Sequence, residues 1–190
     1  MDVDCLLPQR LDKFVYMCDT EIVEWMGTDA ADLEGLAEVL HAAVHAGASV
    51  SFILPFSMDD ARAFWVDKIL PDVQRGRRRV LIARSGGTLS GTVQLNLDVP
   101  PNQAHRAEVV KLLVHPAARR RGIARALMAR IEEIARAESR NLLTLDTRTS
   151  DAAEPLYLSM GYVLSGIIPR YARDPAGSHL ESTSILYKEL

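Results

Sequence analysis

Apolar and polar positions recur along this chain with two different periods, and each change of period marks an element. Between Ala30 and His45, Leu33, Leu36, Ala37, Leu40 and Val44 fall at helical spacing, with Asp29 as an N-cap and Gly47 as a stop. A short strand, Glu21 to Trp25, precedes this helix. After the loop Ala48 to Ser57, a second helix is predicted from near Met58, with Ala61, Phe64, Trp65, Ile69 and Val73 along one side and Gly76 at its end. Period two then takes over. Val80 to Ala83 and Leu89 to Leu97 are apolar-rich runs joined by Ser85-Gly86-Gly87-Thr88, the residue types of a hairpin turn.

In the second half a long strand, Arg106 to Val114, passes through His115-Pro116 into an amphipathic helix from about Arg120 to Glu138. Ile123, Leu127, Ile131 and Ile134 form its predicted buried stripe, and Arg130, Glu132, Glu133 and Arg136 are expected in water. Leu142 to Leu145 reads as a buried parallel strand reached by a crossover. A short helix follows around Ala152 to Met160, stopped by Gly161, with Pro155 tolerable only in its first turn. Strands near Tyr162 to Pro169 and Ser182 to Lys188 close the chain. The order β-α-α-β-β-β-α-β-α-β-β predicts a mixed α+β sheet rather than a doubly wound parallel one. Residues 1–19 carry no convincing period and are read as an N-terminal leader; residues 20–190 are read as one domain.

Composition narrows the chemistry. A chain of 190 residues, 48% apolar and 25% charged, can bury a real core. A net charge of -3 argues against a nucleic-acid partner, and the run Arg75, Arg77, Arg78, Arg79 reads as a solvated helix end. Cys5 and Cys18 form no CxxC pair and are read as free thiols. With no signal-peptide pattern and no apolar run approaching a membrane span, a soluble cytoplasmic protein without a membrane partner is expected. His41 and His45 stand four apart but lack HExxH and a third ligand, so no metal is expected. His45 and Ser49, at the end of the first helix and in the loop after it, are instead candidates for the wall of a binding site.

The junction between the long strand and its helix carries the strongest chemical signal. At Arg119-Arg120-Arg121-Gly122-Ile123-Ala124, unpaired main-chain N–H groups face outward at the positive end of a helix dipole. Gly122 allows close approach of a diphosphate, Ala124 leaves the next turn uncrowded, and Arg119, Arg120, Arg121 and Arg125 add charge. Neither GxxxxGK[ST] nor an early GxGxxG is present, which removes the P-loop and dinucleotide-fold readings.

RRRGIA at Arg119 to Ala124 resembles the Q/R-x-x-G-x-G/A cofactor signature of the GCN5-related N-acetyltransferase (GNAT) superfamily, and Leu156-Tyr157-Leu158-Ser159-Met160-Gly161-Tyr162 resembles its LYxxxGF motif. HAGASVSF at His45 to Phe52, RAEVVKLLVHP at Arg106 to Pro116 and LLTLDT at Leu142 to Thr147 are most similar to the tabtoxin-resistance acetyltransferases. The resemblance implies a mostly antiparallel sheet of six to seven strands flanked by about four helices. It implies acetyl transfer from acetyl-CoA to a small-molecule amine, in that subgroup an amino-acid-like toxin, by a monomer or homodimer. A protein amine as acceptor, and a silent acyl-CoA sensor, are the alternatives.

An amine at neutral pH must lose a proton before it attacks a thioester. Glu108, at the start of the strand feeding the turn, and Asp146, ending the adjacent one, are the candidate bases, and the resemblance implies acidic residues at both positions. An ion pair of Glu108 with Arg106 or Lys111, and a turn cap by Asp146 before Thr147, are their plain structural readings. The resemblance places Tyr157 where a hydroxyl donates its proton or a hydrogen bond to the departing thiolate, and the Leu113 N–H against the thioester oxygen. It also implies that Leu112, Leu113 and Val114 pair through their main chain with the pantetheine arm. Relatives often carry asparagine seven residues before the tyrosine; this chain has Ser150.

Overall fold

Helix α1 (Ala30–His45) begins because the Asp29 side chain accepts from the Ala31 N–H, and it buries Leu36, Ala37, Val39, Leu40, Ala43 and Val44. These observations come from a computed structural model that describes residues 20–190; the leader expected at residues 1–19, with Cys5 and Cys18, lies outside the described residues. The second predicted helix is a continuous run in three parts: α2 (Met58–Ala63), a π-helical turn (Phe64–Ile69) and α3 (Leu70–Gln74). A Ser57–Asp60 capping box starts it, and the widened turn buries Trp65 and Ile69.

Seven strands form one sheet: β1 (Thr20–Glu24), β2 (Arg78–Ser85), β3 (Thr88–Asn96), β4 (Arg106–Val114), β5 (Leu142–Arg148), β6 (Val163–Arg173) and β7 (Leu180–Glu189), in the order β1-β2-β3-β4-β5-β7-β6. Every neighbouring pair is antiparallel except β4 and β5. Helix α4 (Ile123–Ala137) crosses between those two, and α5 (Glu154–Ser159) carries Pro155 in its first turn. The α+β arrangement and the element order match the sequence expectation, and no helix among the described residues is long and apolar enough to cross a membrane.

The period of two in the strands sorts side chains into two cores. Leu81, Ala83, Val93, Leu95, Ala107, Val109, Leu143 and Leu145 pack with Ile123, Leu127 and Ile131 of α4. Val80, Ile82 and Leu113 pack with α1 and the α2–α3 run on the other face.

Three expectations need correction. Helix α4 starts at Ile123 rather than near Arg120, because Arg120 (φ 65°) and Gly122 (φ 81°) are left-handed and hold the chain out of the helix until then. Glu132, expected in water, is buried on the Met128–Ala135 side of α4, where Lys188 of β7 meets it at 2.7 Å. The arginine run is not a solvated helix end: Arg78 and Arg79 lie in β2, Arg78 bonding Gln94 at 2.8 Å and Arg79 pairing with Glu138 at 2.5 Å.

The start of α4 sits directly on β3. A methyl group added at Gly91 would stand 2.9 Å from the Leu113 carbonyl oxygen and 3.1 Å from Ile123 Cγ2. We expect Gly91→Ala to lower stability by about 1–3 kcal/mol, read as a fall in the urea midpoint at constant m-value; an unchanged midpoint would contradict this packing.

Candidate active site

The turn entering α4 leaves main-chain donors open. Ala118 N–H donates to His115 O at 2.8 Å, Arg119 N–H to Pro116 O at 3.4 Å, and the next paired amide is that of Ala126, bonded to Gly122 O at 3.1 Å. Among the described residues the amides from Arg120 to Arg125 find no acceptor, and no side chain caps the helix. A helix of this length with uncapped amides at its N-terminus attracts an anion. Arg119, Arg120 and Arg121 are exposed beside it. Arg125 is not a free cation here, since its guanidinium donates to Ser159 Oγ at 2.6 Å.

Beside this turn the sheet opens. β4 and β5 pair only at Arg106–Leu142, Ala107–Leu143 and Glu108–Thr144, yet β4 runs on to Val114 and β5 to Arg148. Beyond Glu108 the two strands part. His115 N–H donates to Ser90 O at 2.8 Å, and in an antiparallel ladder the direction of the amides alternates. The Leu113 amide therefore faces its partner Thr92 in β3, and that of Val114 faces the parting. The Leu113 amide, expected to meet the thioester oxygen, is thus turned toward β3 rather than into the gap.

A bulge between the Thr92 and Gln94 pairings puts Lys111 and Leu112 opposite Val93. Ahead of it Ala107 and Val109 face α4; beyond it Leu112 and Val114 do, while Leu113 joins the core under α1. One extra residue has reversed the parity, so Lys111, which unbroken alternation would send into the α4 core, emerges on the α1 face with φ 53°. There its Nζ donates to Val50 O at 2.8 Å and Ser51 Oγ at 3.1 Å, and stands 5.6 Å from the centre of the Phe52 ring. Burial lowers the Lys111 amine to about 8; Asp146 works against this fall, Arg78 adds to it, and Glu108 opposes it.

Glu108 and Asp146 lie on that same face, since Ala107, Val109, Leu143 and Leu145 beside them point to α4. Glu108 is half-buried and makes no ion pair among the described residues; Arg106 bonds Gln103 and Thr144 instead. Asp146 is exposed within β5, two residues short of its end, and caps no turn. It borders a cavity of about 220 Å³ whose walls include Ser49, Ser51 and Phe52 from the loop after α1, Arg148 from β5, and Tyr171 and Arg173 from β6. Arg148 is neutralised by Glu181 at 3.2 Å and Asp151 at 3.3 Å. Arg173 is exposed, with a bond at 3.2 Å to Gly177 O.

His45 stays out of that wall: it stacks on His41 at 4.0 Å with its Nδ1 3.0 Å from His41 O. No cluster of potential metal ligands occurs among the described residues. Tyr157 is buried under α4, with its ring 5.8 Å from that of Tyr162. Burial, with the charges of Asp146 and Asp151, pushes the Tyr157 hydroxyl far above its ordinary range, so it stays protonated at neutral pH. Ser150 is left-handed (φ 64°), and its N–H donates to Glu154 Oε2 at 2.6 Å.

Glu108, Asp146, Tyr157 and the turn carry a signal in the sequence. Phe52, Arg148, Tyr171 and Arg173 carry none, because loop and strand ends bring them together, and Lys111 reads in sequence only as a partner for Glu108. A lysine inside the apolar run Val109-Val110-Lys111-Leu112-Leu113 was the one visible sign of the bulge.

Comparisons with known proteins agree with this geometry. The sequence pattern of the acetyltransferase (GNAT) family matches residues 39–162, more than half of the chain. An "uncharacterized N-acetyltransferase in hisH-hisA intergenic region" of Azospirillum brasilense is 31% identical over 65% of this chain and 73% of its own length. An "IAA acetyltransferase" of the same organism is 34% identical over 54% of this chain and 66% of its own. The Salmonella typhimurium protein yncA, whose structure holds its cofactor acetyl-CoA, has the same fold, with a TM-score of 0.74, 19% identity and coverage of 91% of this chain and 95% of that one. This chain belongs to the acetyltransferase (GNAT) family and is an N-acetyltransferase that uses acetyl-CoA.

Proposed function

We propose that this enzyme acetylates the amine of a small, amino-acid-like molecule, in the manner of the tabtoxin-resistance acetyltransferases. The observation that carries the reading is the adjacency of an uncapped anion-binding turn, a parting between two strands, and a small cavity bordered by Asp146.

The unpartnered amides from Arg120 to Arg125 and the left-handed Gly122 suit a diphosphate, with Arg119, Arg120 and Arg121 adding positive charge. The outward main chain of Leu112 and Val114 suits the amide-bearing arm of coenzyme A, which lies along β4 like another strand. Acetyl-CoA supplies the activated acetyl group. The proton movements fall to this chain. Asp146, at the rim of the acceptor cavity, takes the amine proton, and Glu108, deeper on the same face, accepts it through water. The protonated Tyr157 hydroxyl is the donor for the departing sulfur. Ser150, engaged through its own amide with Glu154, contributes to the cofactor site by shaping the turn after β5.

The cavity also bears on the acceptor. Its volume of about 220 Å³ suits a small amine rather than a polypeptide segment. Asp146 and the exposed Arg173, both lining the cavity, complement a molecule with an amine and a carboxylate.

Three outcomes test this. Gly122→Val should weaken coenzyme A binding at least about tenfold by calorimetry, because a side chain at that left-handed position blocks the approach of the diphosphate; unchanged affinity in a folded variant removes the turn from the site. Asp146→Asn should lower kcat/KM for the acceptor about 100-fold or more, and Glu108→Gln about 10-fold, in an assay of thiol release from acetyl-CoA; an Asp146→Asn enzyme within threefold of wild type would be inconsistent with its role. Across a panel of α-amino acids and the amines left by their decarboxylation, the acids should be preferred by about tenfold or more. Equal rates would remove the carboxylate from the recognition, and binding of acetyl-CoA without thiol release on any amine would favour a sensor.

A further inference from the structure

Lys111 takes no part in the chemistry just described, yet the fold invests in its position. The β4 bulge turns it onto the α1 face at a left-handed backbone angle of 53°, and the residue it grasps, Ser51, is also left-handed at 76°. Neither is glycine, so both conformations need outside contacts to hold them. Lys111 provides such contacts through its bonds to Val50 O and Ser51 Oγ. The same ammonium faces the Phe52 ring, which is further packed by Phe56 at 4.6 Å and Phe64 at 5.2 Å. Ser51 and Phe52 are walls of the cavity bordered by Asp146. On its far side the loop is tied by the Leu54 N–H to Pro175 O at 2.8 Å.

We infer that Lys111 is a positioning residue for the acceptor: its ammonium pins the Val50–Phe52 turn to the bulge of β4, so that Ser51 and Phe52 form a wall of the cavity that Asp146 borders. This rests on the proposed acceptor cavity and goes beyond it in assigning specificity to a residue that touches neither cofactor nor amine. A charged donor with two acceptors, one of them main-chain and part-buried, holds a loop more firmly than apolar packing alone, and the Phe52 ring restricts it further. The effect is confined to the acceptor side, since Lys111 makes no contact with the Arg119–Arg125 turn.

The test compares wild type with Lys111→Met, Lys111→Gln and Lys111→Arg. Hydrogen exchange of the ligand-free proteins should show the peptide spanning residues 48–56, including the Leu54 amide, exchanging about tenfold faster in Lys111→Met, with the peptide over 118–126 unchanged. In steady-state assays on the best α-amino-acid acceptor of wild type, KM for the acceptor should rise about 10- to 30-fold while KM for acetyl-CoA stays within about twofold. Lys111→Arg, which keeps charge and donors, should recover most of that loss. Unchanged protection of the loop, an equal rise in both KM values, or no recovery by arginine overturns the assignment. Should the methionine variant not fold, Lys111→Gln takes its place, and protection and acceptor KM both at wild-type values overturn it. Wild type that turns over no amine would count against the acetyl-transfer reading, while the exchange comparison still decides whether Lys111 holds the loop.

Discussion

Main-chain amides without partners at the start of α4, next to strands that have stopped pairing, are the constraint from which the rest of this molecule follows. A helix start is ordinarily capped by a side chain, as α1 is by Asp29 and α2 by Ser57. At α4 the left-handed Arg120 and Gly122 turn the chain so that the amides open outward and no side chain fills them. The site is thus made of backbone geometry, and the side chains around it serve to hold that geometry in place. Gly91, pressed between the Leu113 carbonyl and Ile123, is one such support.

The β4 bulge supplies the second half of the arrangement. A regular β4 would put Lys111 among the apolar side chains under α4 and continue its pairing without interruption. One extra residue instead reverses the parity of the strand, bends it, and puts Lys111 on the face beneath the loop after α1, which Glu108 and, from β5, Asp146 and Arg148 reach by plain alternation. In the function proposed here, cofactor and acceptor meet through the parting, one reached from the α4 end and the other from the α1 face, and Glu108 and Asp146 serve the acceptor from that face.

Much of this was legible in the amino-acid sequence. The helical spacing of Leu36, Leu40 and Val44, the hairpin chemistry of Gly86-Gly87, and Gly122 before an amphipathic run all report on local backbone preferences, which the fold obeys. What escaped was set by tertiary contacts. Glu132 is buried because Lys188, far along the chain, neutralises it. Arg78 and Arg79 left the helix end for a strand because Gln94, Asp72 and Glu138 receive them there. Arg125 is engaged by Ser159 from another helix. A bulge leaves little trace in composition, so the role of Lys111 and the direction of the Leu113 amide depended on register, and the acceptor cavity depended on loop ends that no local pattern brings together.

The central claim concerns individual amides, and it can be tested amide by amide. In a titration of the ¹⁵N-labelled protein with coenzyme A, the amide resonances of Arg120 to Arg125, with those of Leu112 and Val114, should move most and saturate together. If those resonances stay in place while others saturate, the diphosphate binds elsewhere and the account of the turn is wrong.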